Sequence, residues 1–394
     1  MVQPLVIIGS GFAAYQLVKA IRRQDKAMPI QVFTADDGHD YNKPDLSNVL
    51  SKKQTARDLI RMSGQDFAQE HQIELHANCH VEAVNTTQQY LEVDGKRYQY
   101  GKLVLATGAK AFVPPISGDA ADRVLTLNSL SEYEGAENTL QQANRIAVIG
   151  GGLIGTELAM DFATSGKSVV VIDPCQALMA NQLPELVAIK LERVMASQGT
   201  SICLSDKVES ISSVSASASA SASAPTASIH VELASGKVLE VDAVISAAGL
   251  KPNTQLAVNA GLKVNRGIVV DEYLQTSNSD VYALGDCAEI NGNVLAYLQP
   301  ALLSANALAK TLLGQPTVLV LPNMMVKVKT PAFPIQLAGQ NVGRNDSDAL
   351  SWQIEANASG STVKTLDENG QLTGYVVTQQ HLPNAFPLLK ELNS

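Results

Sequence analysis

Two glycine-rich stretches decide the fold of this chain: Gly9-Ser10-Gly11-Phe12-Ala13-Ala14 and Gly150-Gly151-Gly152-Leu153-Ile154-Gly155. Each follows a short apolar run, Leu5–Ile8 and Ile146–Ile149, and each opens an apolar stretch with helical spacing. A strand, a glycine turn and a helix in this order hold a pyrophosphate on backbone N–H groups. Two such turns predict that the protein holds two dinucleotides at once and passes electrons between them.

The composition is that of an ordinary globular protein. The 394 residues are enough for two or three domains, with 45% hydrophobic and 17% charged residues. The net charge of −9 argues against a nucleic-acid or membrane-surface partner. No apolar stretch reaches the roughly 20 residues of a membrane helix, and the N-terminal apolar run leads into a phosphate turn rather than a signal-peptide site. We therefore expect a cytoplasmic protein with no nucleic-acid and no membrane partner.

The cysteines and histidines indicate neither local thiol chemistry nor a metal site. The four cysteines, Cys79, Cys175, Cys203 and Cys287, lie far apart, which excludes a Cys-x-x-Cys pair or a zinc knuckle. The six histidines show neither metal-ligand nor triad spacing. We expect buried, reduced cysteines and no metal.

Apolar runs separated by Gly, Pro and polar segments predict two βαβ units and a strand-rich end of the chain. The Ser/Ala-alternating tract at 213–228 cannot bury a core, and we interpret it as a hairpin loop on the second nucleotide domain. The predicted elements are strands Leu5–Ile8, Ile30–Thr34, Lys102–Ala106, Ile146–Ile149, Ser168–Ile172, Ile229–Leu233, Ala243–Ala247, an apolar strand within 276–286, Met324–Lys329 and Gly374–Thr378, and helices at about 13–23 and 154–165, the second ended by Gly166.

Together these pieces resemble the FAD-dependent pyridine-nucleotide reductases. The matching parts are the two turns, Ala106-Thr107-Gly108, and the Thr276 strand that ends in Gly285-Asp286. The resemblance implies an α/β fold with two Rossmann-like dinucleotide-binding domains, the NAD domain inserted in the FAD domain, plus a small α+β C-terminal domain. The predicted limits are 1–111 and 243–320 for the FAD-binding domain, 112–242 for the NAD-binding domain and 321–394 for the C-terminal domain.

The segment Tyr41-Asn42-Lys43-Pro44-Asp45-Leu46-Ser47 indicates the electron acceptor. Disulfide reductases carry a cysteine pair in this neighbourhood, whereas this chain has no cysteine before Cys79. The segment is similar to the Tyr-x-Lys/Arg-Pro-x-Leu-Ser signature of reductases that serve one-electron iron proteins. With 34–38 and 328–332, it most resembles the NADH:rubredoxin reductases of alkane-oxidising bacteria. The resemblance therefore implies that electrons pass from NADH through FAD to rubredoxin, in bacterial alkane hydroxylation.

The same resemblance implies the site residues. The first turn holds the FAD pyrophosphate, Asp286 binds the ribityl chain, and Lys43 and Glu157 form a catalytic ion pair at the reactive edge of the flavin. Lys329 lies near the pyrimidine end. Further cofactor contacts are implied at Thr34, Ala35, Val81, Thr107, Gly108, Gly249, Gly285 and Val294. Many relatives have an acidic residue for the adenosine ribose where this chain has Thr34-Ala35, so either Asp36 or backbone contacts take that role.

The second turn predicts the electron donor. NADH is expected over Gly150, Gly152, Leu153, Ile154 and Gly155. Asp173 ends the strand after this turn, where a carboxylate accepts hydrogen bonds from a ribose 2′-OH and repels a 2′-phosphate. The sequence therefore favours NADH over NADPH.

The sequence allows three alternatives to be compared with this interpretation. A reductase for a 2Fe–2S ferredoxin, feeding a Rieske oxygenase or a cytochrome P450, differs only in its docking surface. An NADH oxidase or peroxidase needs a cysteine on the flavin face, which the chain lacks. A non-catalytic nucleotide sensor needs only one dinucleotide site, so the two predicted sites argue against this alternative.

Overall fold

A computed structural model describes residues 3–214, 228–343 and 349–394, so most of the predicted Ser/Ala loop lies outside the described residues. The strands are β1 (Leu5–Ile8), β2 (Ile30–Phe33), β3 (Asp40–Tyr41), β4 (Ile60–Met62), β5 (Glu74–His76), β6 (Ala83–Asn85), β7 (Tyr90–Val93), β8 (Lys96–Gln99), β9 (Lys102–Leu105), β10 (Ala109–Ala111), β11 (Arg145–Ile149), β12 (Ser168–Asp173), β13 (Thr200–Leu204), β14 (Val208–Ser213), β15 (Ile229–Leu233), β16 (Val238–Val241), β17 (Ala243–Ser246), β18 (Leu250–Pro252), β19 (Ile268–Val270), β20 (Val281–Ala283), β21 (Ala288–Ile290), β22 (Asn293–Val294), β23 (Val326–Val328), β24 (Ile335–Gly339), β25 (Ser351–Asn357), β26 (Gly360–Leu366) and β27 (Leu372–Gln379). The helices are α1 (Phe12–Arg22), α2 (Gly64–His71), α3 (Leu130–Gln142), α4 (Leu153–Thr164), α5 (Glu185–Ser197), α6 (Gln255–Asn259), α7 (Leu298–Leu312) and α8 (Ala385–Leu392).

The chain divides into two units. The first comprises Met1–Lys43, Arg57–Lys110 and Leu250–Leu321, and the second comprises Pro44–Ala56, Ala111–Gly249 and Pro322–Ser394. This division places Pro322–Ser394 in the same unit as Ala111–Gly249. It does not test the three domain limits expected from the sequence, which stay predictions.

The first unit is built on a parallel sheet with strand order β20-β9-β1-β2-β5. Strand β1 pairs in parallel with both β2 and β9. All four residues of β1 are buried, as expected for a strand that is covered on both faces. Helix α1 follows β1 directly and buries Ala14, Leu17, Val18 and Ile21, which recur at helical spacing. This is the predicted βαβ arrangement.

The second unit contains another parallel sheet, with order β13-β12-β11-β17. Strand β11 pairs in parallel with β12 and β17, and α4 connects β11 to β12. Between β13 and β17 in the sequence, β14, β15 and β16 form an antiparallel sheet, in which Ser213 pairs with Ile229. The flanks of the predicted Ser/Ala loop are therefore paired strands.

The C-terminal segment of the second unit forms an antiparallel sheet, ordered β23-β24-β27-β26-β25, with α8 against it. Its core includes Ala338, Tyr375 and Val377 of the sheet together with Leu388 of α8. Lys190 of α5 donates a hydrogen bond to Ser361 of β26 at 2.7 Å. The α/β fold with two Rossmann-like sheets and a small C-terminal α+β domain is thus confirmed.

Several element limits differ from the expectation. The predicted strand within 276–286 is only Val281–Ala283, and Gly285–Cys287 forms a short 3₁₀ helix after it. Strands β25 and β26 were not predicted.

The cysteines are all free thiols, but only Cys287 is buried and the other three are half-buried, so the expectation of burial is wrong for those three.

Candidate functional site

The carboxyl ends of four parallel strands of the first sheet lie at one edge. Strand β1 leads into the first glycine turn, β2 into Thr34 and Ala35, β9 into Thr107-Gly108, and β20 into Gly285-Asp286. In an open parallel sheet this edge is where a dinucleotide binds. The structure therefore brings together most of the residues that were predicted to hold FAD.

The first glycine turn has the geometry of a phosphate site. Gly9 has φ +116, and a Cβ placed on it would lie 2.2 Å from the backbone oxygen of Ala106, so no other residue fits there. Gly11 precedes α1, and nothing lies within 4 Å of its Cβ position. No side chain of the described residues caps this helix end, which leaves its N–H groups free for an anion. Ser10, Phe12, Ala13 and Ala14 complete this turn and the start of α1.

Charged side chains approach the same edge. The Lys43 ammonium lies 3.3 Å from Oδ2 of Asp286, and both side chains are partly exposed. Gly285 contacts α1 closely, since a Cβ on it would lie 2.7 Å from Cβ of Ala13. Asp286 is thereby held beside the start of the helix, within the first unit. Thr107 donates to the backbone oxygen of Asn253 at 2.7 Å, which fixes the segment after β9.

Two further predicted cofactor contacts also belong to the first unit. Val81 is buried in the core of this unit, and Val294 is half-buried in β22. Their contacts with a cofactor stay predictions.

The second glycine turn repeats this geometry within the second unit. Gly150 has φ +108, and its Cβ position lies 2.6 Å from the oxygen of Ala247. Gly152 precedes α4 and has open space around its Cβ position. A Cβ on Gly155 would lie only 1.9 Å from the oxygen of Gly150, so this glycine lets α4 pack on the turn. Leu153 and Ile154 form the first turn of α4, and Ile154 is exposed.

Asp173, at the end of β12, is tied to this turn. Its Oδ2 accepts from the backbone N–H of Gly151 at 2.5 Å, and its Oδ1 accepts from that of Cys175 at 2.7 Å. The carboxylate is therefore fixed beside the turn, where a nucleotide ribose is expected. Gly249 lies after β17, and its backbone oxygen accepts from Phe112.

Glu157 of α4 is the centre of a buried polar cluster in the second unit. Its side chain is 3% exposed, and it accepts from the Ser47 hydroxyl at 2.7 Å and from the backbone N–H of Lys329 at 2.8 Å. The Lys329 ammonium lies 3.8 Å from the same carboxylate and also donates to the backbone oxygen of Pro44. Burial lowers the pKa of Lys329, while the Glu157 charge opposes that shift.

The ion pair expected between Lys43 and Glu157 would join the two units and stays a prediction. Within its own unit, each has a different partner: Asp286 for Lys43 and Lys329 for Glu157.

Asp161 was not among the site residues that the sequence predicted. It lies one helical turn after Glu157 on α4 and is 5% exposed. It accepts from the backbone N–H groups of Leu50, at 2.9 Å, and Ser51, at 3.2 Å, and from the Ser51 hydroxyl. Burial raises its pKa. The signal in the sequence was the pair of acids four residues apart in an otherwise apolar helix; together they hold the 44–51 segment on α4.

Both glycine turns thus fit a dinucleotide, since each has an uncapped helix start and open space at its second glycine. Among the residues that the structure describes, no group of three or more His, Cys, Asp or Glu could hold a metal ion. No helix in the described ranges is long and apolar enough to span a bilayer.

Comparison with known proteins gives two family matches. Residues 3–307 match the pyridine nucleotide-disulphide oxidoreductase family, and residues 318–392 match the rubredoxin binding C-terminal domain.

Relatives and a solved structure match along nearly the whole chain. The nitric oxide reductase FlRd-NAD(+) reductase of Vibrio vulnificus (strain CMCP6) is 52% identical over 393 residues, covering 100% of this chain and 99% of the relative. The protein of the same name from Salmonella agona (strain SL483) is 46% identical over 393 residues, covering 100% of both. The crystal structure of the covalent putidaredoxin reductase–putidaredoxin complex is similar in fold, with a TM-score of 0.86 at 24% identity, over 99% of this chain and 93% of that chain.

Proposed function

This chain belongs to the pyridine nucleotide-disulphide oxidoreductase family, and from that premise we propose that it is the NADH-dependent FAD reductase of a nitric oxide reductase system, with a rubredoxin-type protein as its electron acceptor. The observation that carries the proposal is the match of residues 318–392 to a rubredoxin binding domain. Relatives with 46% and 52% identity over the whole chain carry the FlRd-NAD(+) reductase name, which supports a flavorubredoxin as that acceptor.

The first unit binds FAD in this account. The N–H groups at the start of α1 hold its pyrophosphate, and Asp286 receives the ribityl hydroxyls. Lys43, beside Asp286, supplies positive charge at this edge. When bound, FAD takes two electrons from NADH and releases them one at a time, as a one-iron acceptor requires.

The second unit binds NADH over the Gly150–Gly155 turn, and Asp173 receives the ribose. Glu157, held by Ser47 and the backbone of Lys329, presents a fixed carboxylate one turn into α4. Its proposed role is positioning: it fixes the Lys329 ammonium, which the resemblance assigns to the pyrimidine end of the flavin.

The alternatives differ in how well they are supported. Alkane hydroxylation, the setting expected from the sequence, has less support than nitric oxide reduction, because the relatives carry the latter name. The ferredoxin reductase alternative has the same flavin chemistry and differs only in its docking surface, and residues 318–392 match a rubredoxin binding domain. Disulfide or peroxide chemistry needs a cysteine before position 79, and the chain has none there. The cytoplasmic location stays a prediction.

The acceptor is tested by NADH-driven reduction of cytochrome c with one carrier added at a time. We expect the rate to rise on the order of 10-fold or more with rubredoxin, or with the rubredoxin domain of a flavorubredoxin, because docking at the matched domain makes electron transfer productive. A 2Fe–2S ferredoxin at the same concentration is the control. Equal stimulation by ferredoxin would contradict the proposed acceptor, and a colourless protein that does not oxidise NADH would support the sensor instead.

A further inference from the structure

Strand β25 forms an outer edge of the C-terminal sheet. The strand order places it last, after β26, and in the described part of the chain no strand pairs with its other side. An outer strand presents a row of backbone N–H and C=O groups that can pair with another chain. All seven residues of β25 are exposed, so both of its faces and its outer side are open.

Natural sheets protect such edges with lysines, prolines, bulges or short strands, and β25 lacks this protection. Its sequence, Ser351–Asn357, contains no Lys, Arg, Pro or Gly, and it pairs with β26 at every position in unbroken register. The opposite edge of the same sheet is protected, because β23 has only three residues and its central Lys327 is exposed. The two edges therefore differ in a way that favours pairing at β25.

Two large apolar side chains lie exposed on one face of this strand. Trp352 and Ile354 are 46% and 51% exposed, and they share a face because side chains alternate along a strand. The Trp352 Nε1–H donates to the backbone oxygen of Asn341 at 3.1 Å, which holds the ring in place. A large apolar side chain that is already fixed loses little conformational entropy on binding, as suits the anchor of an interface.

The strand is complementary to a second copy of itself. In an antiparallel pair centred on Ile354, Trp352 lies opposite Ala356 of the second copy, and Gln353 lies opposite Glu355. The apolar residues then meet on one face, and the single charged group of the strand meets an amide that can donate to it. Moving the centre to Glu355 would bring two carboxylates opposite each other, which is unfavourable, and moving it to Gln353 would shorten the pairing.

From this complementarity we infer that two copies of the chain associate through β25, antiparallel and centred on Ile354, so that their C-terminal sheets join into one. The association is closed, because each copy contributes the same edge across a two-fold axis. Seven residues per copy are fewer than the roughly 20–30 of a standard interface, so we expect a weak dimer with a Kd on the order of 10 µM. The inference does not rest on the proposed electron acceptor, and it is measured as mass rather than as turnover.

Sedimentation equilibrium of the full-length, FAD-bound protein tests the association. With concentration rising to about 200 µM, the wild type should pass from the 41.8 kDa of one chain towards twice that mass. I354K should weaken the dimer on the order of 100-fold, because two ammonium groups would then lie opposite each other. F386K is the matched control: Phe386, on α8 of the same unit, is 65% exposed, and its replacement should leave the dimer unchanged. A wild type that stays monomeric throughout, or equal losses in the two variants, would overturn the inference.

A mixture of two charge variants tests the register itself. I354K and I354E should each be monomeric, whereas an equimolar mixture should dimerise, because the ammonium of one variant then faces the carboxylate of the other. A mixture that stays monomeric would overturn the pairing centred on Ile354.

The competing occupant of this edge is rubredoxin. A monomeric wild type whose stimulation by rubredoxin is lost in I354K would overturn the inference and assign β25 to the electron carrier. Failure of rubredoxin to stimulate the wild type would instead contradict the proposed acceptor, while the masses would still decide whether two copies pair.

Discussion

Replacing Gly155 with alanine is expected to lower kcat/KM for NADH on the order of 100-fold while the protein keeps its bound FAD. The physical reason is the close packing of α4 on the second glycine turn: the new Cβ would lie 1.9 Å from the backbone oxygen of Gly150. Backbone cannot give way as a flexible side chain can, so the turn and the start of α4 must separate. The N–H groups of the turn then no longer converge on the NADH pyrophosphate.

Gly135→Ala is the matched control for this change. Gly135 lies inside α3 of the same unit, and nothing lies within 4 Å of its Cβ position. Alanine there should leave kcat/KM unchanged and stabilise the protein by up to ~1 kcal/mol, because glycine disfavours a helix interior. Steady-state kinetics with flavin absorbance as the FAD readout measure both variants. Normal NADH kinetics in Gly155→Ala would mean that the second turn does not bind NADH.

The second large effect is expected on the choice of nicotinamide cofactor. Asp173→Asn should lower the ratio of kcat/KM for NADH to that for NADPH on the order of 30-fold. The carboxylate beside the Gly151 N–H repels a 2′-phosphate, and such like-charge contacts cost several kcal/mol. Asparagine keeps the shape but has one acceptor oxygen, so it retains the bond from the N–H of either Gly151 or Cys175 and loses the other. Because that loss affects both cofactors, the ratio of the two kcat/KM values is the measured quantity.

The control for the cofactor variant is Asp122→Asn, a change of the same charge at an exposed residue of the same unit, in a short 3₁₀ helix. It should leave the ratio unchanged, which separates a local effect from one of net charge. A wild type with comparable kcat/KM for the two cofactors, or an Asp173→Asn variant with an unchanged ratio, would sink the assignment of Asp173 to the NADH ribose.

The two glycine turns were predictable because each depends on residues adjacent in sequence. Strand β1, the turn and α1 follow one another directly, so apolar runs and glycine spacing are enough to find them. The open space at Gly11 and Gly152 is set by the same local geometry. Family resemblance then distinguished the FAD turn from the NADH turn.

The contacts that order the sites were not predictable, because they join distant segments. Asp161 holds Leu50 and Ser51 across more than a hundred residues of chain. The acid spacing in α4 could have marked Asp161 itself, but it does not identify these partners. Strand β25 was missed for a different reason. All seven of its residues are exposed, so it has no alternation of buried and exposed positions to recognise.

The central claim, that electrons leave the flavin for a rubredoxin-type carrier, is tested most directly by an anaerobic single-turnover experiment. The purified yellow protein is bleached with one equivalent of NADH and then mixed with an excess of oxidised rubredoxin in a stopped-flow spectrophotometer. The account predicts that the flavin absorbance returns and that two rubredoxins are reduced for each NADH, since each iron accepts one electron. A flavin that stays bleached in the presence of rubredoxin would contradict it.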